Sequence, residues 1–171
     1  MTCRRFLIAL LVAAFACATT TAIAAQHGTK KADHIVGGAS ADQIDGKGGN
    51  DTLEGVGGAD TLRGGPGNDR LVGGAGNDKL YGGPGADSLF GDTGNDGLNG
   101  GPGNDTILGG SGNDRITPGP GADVVASGDG KDRISARDGT RDQIDCGAKK
   151  DRVIADSNDS VAGNCESVSR G

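Results

Sequence analysis

Aspartate stands at every ninth residue from Asp33 to Asp132: Asp33, Asp42, Asp51, Asp60, Asp69, Asp78, Asp87, Asp96, Asp105, Asp114, Asp123 and Asp132. Carboxylates are hard oxygen donors, and the residues between them are rich in glycine, which leaves backbone carbonyls open as further donors. That donor set suits a cation that takes about six to eight oxygens in flexible geometry, as calcium does. Zinc would want His or Cys, and beyond residue 24 the only histidines are His27 and His34, outside the best repeats. Catalytic groups are not apparent: Glu54 and Glu166 are isolated, and the aspartates are committed by their position. A nucleophile with a base and an orienting acid is missing, so the chain does not read as an enzyme.

The elements that must position these carboxylates are written in the same period. The clearest units are GGPGNDRLV from Gly64, GGAGNDKLY from Gly73, GGPGADSLF from Gly82, GGPGNDTIL from Gly100 and GGSGNDRIT from Gly109. From Gly28 the nine-residue register holds for twelve units, and after Ser135 it loosens: residues 136–145 are ten, 146–154 nine and 155–162 eight. Asp142, Asp151 and Asp159 there still precede Ile144, Val153 and Val161 by two, so fifteen units keep the pair and an internal repeat governs the fold. Each unit divides into a turn, GGxGxD, and a short strand, xUx, with U aliphatic. Glycines at places one, two and four permit positive φ and close backbone approach, and in the strand place eight points inward while seven and nine point out. Leu53, Leu62, Leu71, Leu80, Leu89, Leu98, Ile107, Ile116, Val125 and Ile134 then form an interior ladder. Two units make one coil of eighteen residues, so each turn lies over the turn eighteen residues away, about 4.8 Å distant. One edge stacks Asp51, Asp69, Asp87, Asp105 and Asp123, and the other Asp60, Asp78, Asp96, Asp114 and Asp132. Carboxylates so stacked repel unless cations lie between them.

The pattern GGxGxDxUx resembles the hemolysin-type calcium-binding repeats, also called repeats-in-toxin, over most of the chain beyond residue 24. The resemblance implies an all-β fold, a right-handed parallel β-roll with two repeats per coil. It implies calcium held between successive turns by these ten aspartates and by glycine-rich carbonyls, with Asp33, Asp42, Asp142 and Asp151 as outer candidates. Five turns per edge between Gly46 and Ser135 leave four gaps on each side, hence about eight ions. Departures from the pattern are Thr29, Lys31 and Ser40 in the first units, Lys47, Val56 and Asp92 at place two, and Pro118 and Ser127 at place one. The expected organisation is a signal peptide over 1–24, degenerate repeats over 25–45, the calcium-binding roll over 46–135, and degenerate repeats with a cap over 136–171. In many relatives the repeats follow a toxin, protease or lipase domain. This chain more closely resembles small exported bacterial repeat proteins with a cysteine-containing cap, here IDCGAKKDRV and CESV.

Arg4 and Arg5, the apolar run from Phe6 to Ala18 and the small residues Ala22 and Ala24 predict cleavage after Ala24. Ala14-Phe15-Ala16 is a poor match to a lipid-attachment signal at Cys17. Cleavage removes Cys3 and Cys17 and leaves Cys146 and Cys165, expected as one disulfide one coil apart. It leaves fifteen basic against twenty-three acidic residues, a formal net charge of −8. With no basic cluster or amphipathic helix along the sequence, nucleic acid and anionic membranes are not expected partners. The core this composition can build is thin, since Tyr81 and Phe90 are the only aromatics beyond the signal against thirty-five glycines, and it calls for an added stabiliser, which bound metal supplies.

On the outside, Val72, Phe90, Leu108 and Ala126 recur at eighteen residues on one sheet, an apolar stripe that is either ordinary β-propensity or a docking face. Asn50, Asn68, Asn77, Asn95, Asn104 and Asn113 at place five are expected as turn residues tolerant of left-handed geometry. An ice-binding array would need a matching threonine column, and only Thr93 stands there. The expected protein is therefore a secreted, non-enzymatic calcium-binding module, with an accessory module for an exported enzyme or a surface adhesin as alternatives.

Overall fold

Side chains of a three-residue strand alternate, so each xUx segment can bury its middle residue only if a second sheet covers it. The computed structural model describes residues 25–170, which do so coil after coil. The expected signal peptide, with Cys3 and Cys17, lies outside them. The strands are β1 (Ala25–His27), β2 (His34–Val36), β3 (Gln43–Asp45), β4 (Thr52–Gly57), β5 (Thr61–Arg63), β6 (Arg70–Ala75), β7 (Lys79–Tyr81), β8 (Ser88–Thr93) and β9 (Gly97–Asn99). They continue as β10 (Thr106–Ser111), β11 (Arg115–Thr117), β12 (Val124–Asp129), β13 (Arg133–Ala136), β14 (Gln143–Asp145), β15 (Arg152–Ala155), β16 (Ser160–Val161) and β17 (Ser167–Arg170). Odd-numbered strands form a nine-stranded sheet and even-numbered strands an eight-stranded one, all pairs parallel. Strict alternation between two sheets makes one coil of every two strands, and the chain is a parallel β-roll of about eight coils.

The register is eighteen residues, as the repeat requires. Leu53, Leu71, Leu89, Ile107 and Val125 align in the eight-stranded sheet. Ile44, Leu62, Leu80, Leu98, Ile116 and Ile134 align in the other. All are buried, each contributing roughly 1.5–3 kcal/mol. Beyond Ser135 the step becomes nineteen, with Val125 on Ile144 and Ile134 on Val153, and then seventeen, with Ile144 on Val161. The turns absorb the irregular units, because a one-residue slip in a strand would turn its apolar residue outward.

The two edges differ for a reason visible in the residues. Place three is Pro66, Pro84, Pro102 and Pro120 on the edge that follows odd strands, and Ala75, Thr93, Ser111 and Asp129 on the other. Proline has no N–H to donate, so β5, β7, β9 and β11 stop after three residues, while β4, β6, β8, β10 and β12 run six residues into the opposite turn.

Glycine does two different jobs. At places two and four of the regular coils φ is positive, as at Gly65 (101°) and Gly67 (148°), with Gly38 and Gly130 at the ends as exceptions, whereas the place-one glycines from Gly46 to Gly109 have no positive φ. The expectation of positive φ at place one is thus corrected, and space rather than conformation demands glycine there. Place four is glycine from Gly49 to Gly130, since a Cβ on Gly67 would overlap the Gly49 carbonyl oxygen of the previous coil. Lys31 and Ser40 depart from this rule in the first coil, beneath which the described residues hold no other turn.

Candidate metal sites between the turns

Each aspartate closes its turn immediately before a strand, so its main chain joins the ladder while its side chain turns under the coil. The N–H of one aspartate donates to Oδ1 of the aspartate one coil later at 2.7–3.0 Å, from Asp33 onto Asp51 through to Asp142 onto Asp159. Asp51, Asp60, Asp69, Asp78, Asp87, Asp96, Asp105, Asp114, Asp123 and Asp132 are all at most 3 % exposed. Their Oδ2 atoms, with those of Asp142 and Asp151, are buried and have no hydrogen-bond partner in the protein. An ionised oxygen in that position is costly unless a positive charge meets it.

The glycine at place one shows where these oxygens point. A Cβ on Gly82 would meet Asp87 Oδ2 of its own turn and, at 2.5 Å, the Gly100 carbonyl oxygen of the next coil. A Cβ on Gly46 would likewise meet Asp51 Oδ2 and, at 2.8 Å, the Gly64 carbonyl oxygen. Gly55, Gly64, Gly73, Gly91, Gly100 and Gly109 repeat the arrangement, so eight gaps each hold a carboxylate and a carbonyl oxygen facing one small space that only glycine leaves free. Among the described residues no three His, Cys, Asp or Glu side chains converge on one point. The further protein donors available in each gap are main-chain carbonyls, an all-oxygen set that water can complete and that fits calcium and not zinc.

The ends of the ladders are different. In the first coil Asp33 Oδ2 accepts the Thr29 N–H (2.6 Å) and hydroxyl (2.9 Å), and Asp42 Oδ2 accepts the Gly38 N–H (2.7 Å). At the far end Pro118 and Ser127 bring a side chain to place one, and the buried Ser127 hydroxyl donates to the Cys146 carbonyl (2.9 Å). Asp123, Asp132, Asp142 and Asp151 thus keep an unpartnered oxygen without a glycine beside it. Glu166, isolated in the sequence, ends one ladder by accepting the Asp151 N–H at 3.0 Å. Its spacing of fifteen residues from Asp151 departs from the repeat, which is why the repeat does not reveal it.

Electrostatics follow from this burial. Without a cation, Asp87 and Asp96 are pushed up to about 7, and Asp60, Asp105, Asp114, Asp123 and Asp142 to about 6. Desolvation is the largest cause in each, opposed by the N–H bond from the previous aspartate; stacked carboxylates raise most of them further. Asp51, Asp69, Asp78 and Asp151 are raised for the same first reason.

The asparagines do not serve left-handed geometry, for none has positive φ. Their side-chain oxygens accept the place-five N–H one coil later: Asn50 from Asn68, Asn68 from Ala86, Asn77 from Asn95, Asn95 from Asn113, Asn104 from Ala122, Asn113 from Lys131. They staple coil to coil just outside the aspartates. Cys146 and Cys165 form the expected disulfide, their Cα atoms 5.2 Å apart. The apolar stripe is in register on the eight-stranded sheet, but the Arg70 guanidinium lies 4.1 Å over the Phe90 ring and Leu108, at 40 %, is the most exposed of the four.

The family of the RTX calcium-binding nonapeptide repeat (4 copies) matches residues 27–53, 54–89, 63–98, 81–116, 90–125 and 117–140, which together span about two thirds of the chain. No curated protein matches it.

Proposed function

The chain belongs to the RTX calcium-binding nonapeptide repeat family, and on that premise we propose that it is an exported, non-enzymatic β-roll that folds on meeting extracellular calcium and serves as a surface or matrix module. One observation carries the reading. The aspartates with an unpartnered buried oxygen and the glycines that keep a space beside it coincide at eight gaps, from Asp51 with Gly46 to Asp114 with Gly109. Asp51, Asp60, Asp69, Asp78, Asp87, Asp96, Asp105 and Asp114 would each supply Oδ2, the place-one carbonyl of the next coil would oppose it, and Asp123 and Asp132 would close the upper ends. Calcium bound there supplies the positive charge that lets the carboxylates stay ionised while stacked.

The chain's own residues then set the switch. Apo coils repel along two aspartate ladders, and the thin aliphatic column cannot offset that repulsion together with the ordering of so many glycines. Affinities typical of extracellular modules, on the order of 10⁻⁴ to 10⁻³ M, would hold the chain unfolded inside a cell and folded outside. The test is far-UV circular dichroism of residues 25–171, disulfide intact, titrated from chelator to about 10 mM calcium. A cooperative gain of β signal that magnesium does not reproduce is expected. A chain already fully folded in chelator at neutral pH would sink the proposal.

A further inference from the structure

The roll stacks like charges twice. Inside are the carboxylates; outside, the parallel register sets Arg115 against Arg133 and Arg133 against Arg152 on consecutive strands β11, β13 and β15. Lys79 continues the same column two strands earlier, across Gly97. All four side chains are exposed, and among the described residues the ion pairs are His27 with Asp45 and His34 with Glu54, so none of these bases has a carboxylate partner. Like charges on neighbouring strands, about 4.8 Å apart, destabilise a sheet. An external anion of the same period removes that cost.

Burial also reverses the sign of the surface. Fourteen aspartates are buried, which leaves nine acidic side chains outside against fifteen basic ones in a chain whose formal charge is acidic. The basic column flanks a groove lined by Arg115, Thr117, Arg133, Ser135, Arg152 and Ile154. Its two hydroxyls stand beside guanidinium forks suited to carboxylate or sulfate.

We propose that this groove on the nine-stranded sheet binds a linear acidic polysaccharide laid across the strands, its carboxylate or sulfate groups on Arg115, Arg133 and Arg152 and its hydroxyls on Thr117 and Ser135. On β11, β13 and β15 the column carries one cation per strand at the strand spacing of about 4.8 Å, which suits a polymer that bears acid groups at short regular intervals. Single-stranded nucleic acid would need an aromatic platform for each of several bases, whereas this face offers one ring among the described residues, Tyr81, which adjoins Lys79 and Arg115 and is covered by the Arg63 guanidinium 5.2 Å from its centroid. An anionic membrane would need apolar groups to insert, and the outward apolar side chain of this groove, Ile154 beside Ser135, is half-buried. The inference rests on the calcium reading in one respect: cations that neutralise the inner carboxylates let the outer charge act.

The test measures retention of the calcium-loaded chain on immobilised chondroitin sulfate in about 0.15 M salt, where long-range steering is screened. Circular dichroism of the same samples reports the fold, so loss of the calcium-dependent fold and loss of binding are read separately. Arg115→Gln/Arg133→Gln/Arg152→Gln is expected to weaken binding by about tenfold or more, and Arg133→Gln alone by a smaller factor. Lys30→Gln/Lys31→Gln/Lys47→Gln, which removes the same charge elsewhere, is expected to stay within about twofold. No retention of the folded wild-type chain, equal loss in both triple variants, or tighter binding to oligo-dT or phosphatidylserine vesicles would overturn the proposal.

Discussion

Replacing Asp87 by Asn should stabilise the roll without calcium and destabilise it with calcium. Asp87 is 2 % exposed, its Oδ1 accepts the Asp69 N–H at 2.7 Å, and its Oδ2 has no partner. Asp87→Asn keeps the first bond and sets an amide donor toward the Gly100 carbonyl, which shares the space over Gly82 with that oxygen. In chelator at pH 7.5 the variant exchanges a buried, ionised oxygen for a satisfied N–H. Burial lifts the Asp87 carboxyl from 3.8 to about 7, which at about 1.36 kcal/mol per pH unit is roughly 4 kcal/mol. Water penetration and partial protonation of the neighbouring carboxylates screen this to about 1–2 kcal/mol in favour of the variant. In calcium the sign reverses, because losing one site held at roughly ten to a hundred times its Kd costs about 1.4–2.7 kcal/mol. That loss lowers Tm by about 3–10 °C for a chain of this size. In about 10 mM calcium, urea and thermal melts followed by circular dichroism should show the variant less stable, in chelator its residual β signal at pH 7.5 should exceed that of the wild type, and native mass spectrometry should count fewer ions on the variant. A variant less stable in both conditions would refute the assignment of Oδ2 to a cation. So would one unchanged in calcium.

The raised carboxyls also set a pH dependence in chelator. The folded state holds protons more tightly than the unfolded chain, so stability present below about 3.8 should be lost as pH rises through about 6 to 7. β signal in chelator should accordingly grow on acidification from pH 7.5 to 4, and the calcium needed for half-folding should fall with it, because protons take over part of the cation's work at the buried carboxyls; a flat pH profile would contradict both. Ser127→Gly removes the side chain that stands at place one above Asp132, and one additional bound ion by native mass spectrometry is expected. Val56 holds φ at 79° with a branched side chain, so Val56→Gly should stabilise the folded roll by about 1 kcal/mol in urea melts, less any gain in unfolded-state entropy. Cys146→Ser/Cys165→Ser opens a loop closed over a separation of nineteen residues and should cost about 3 kcal/mol, read as faster proteolysis confined to the last coils.

What the sequence made legible is what a Cβ forbids or a strand face demands. Place four must be glycine wherever a coil lies beneath, so the period is visible from Gly49 to Gly130. Place eight must be aliphatic because both sheets close on it, as Leu53 to Ile134 show. The aspartate columns follow by counting eighteen. Less legible were roles that depend on what lies across a coil boundary. Place-one and place-two glycines look alike in the sequence, yet Gly82 spares room for Asp87 Oδ2 and Gly83 supplies φ of 111°. Asn50 looks like a turn residue, and only stacking shows its side chain taking the Asn68 N–H. Surface charge was the least legible. A net value near −8 and the absence of a basic cluster argued against nucleic acid and anionic membranes, but net charge sums over groups whose locations differ and does not give the arrangement of the outer charge. In a roll, place six is inside and place seven outside on every unit, so acids at place six add nothing to the outer surface once cations meet them. Bases at place seven of alternate units, Lys79, Arg115, Arg133 and Arg152, collect on one sheet although seventeen or more residues separate them in the chain. For a repeat fold, the charge that a partner meets is therefore read column by column at the period of the coil, and that reading selects the nine-stranded face.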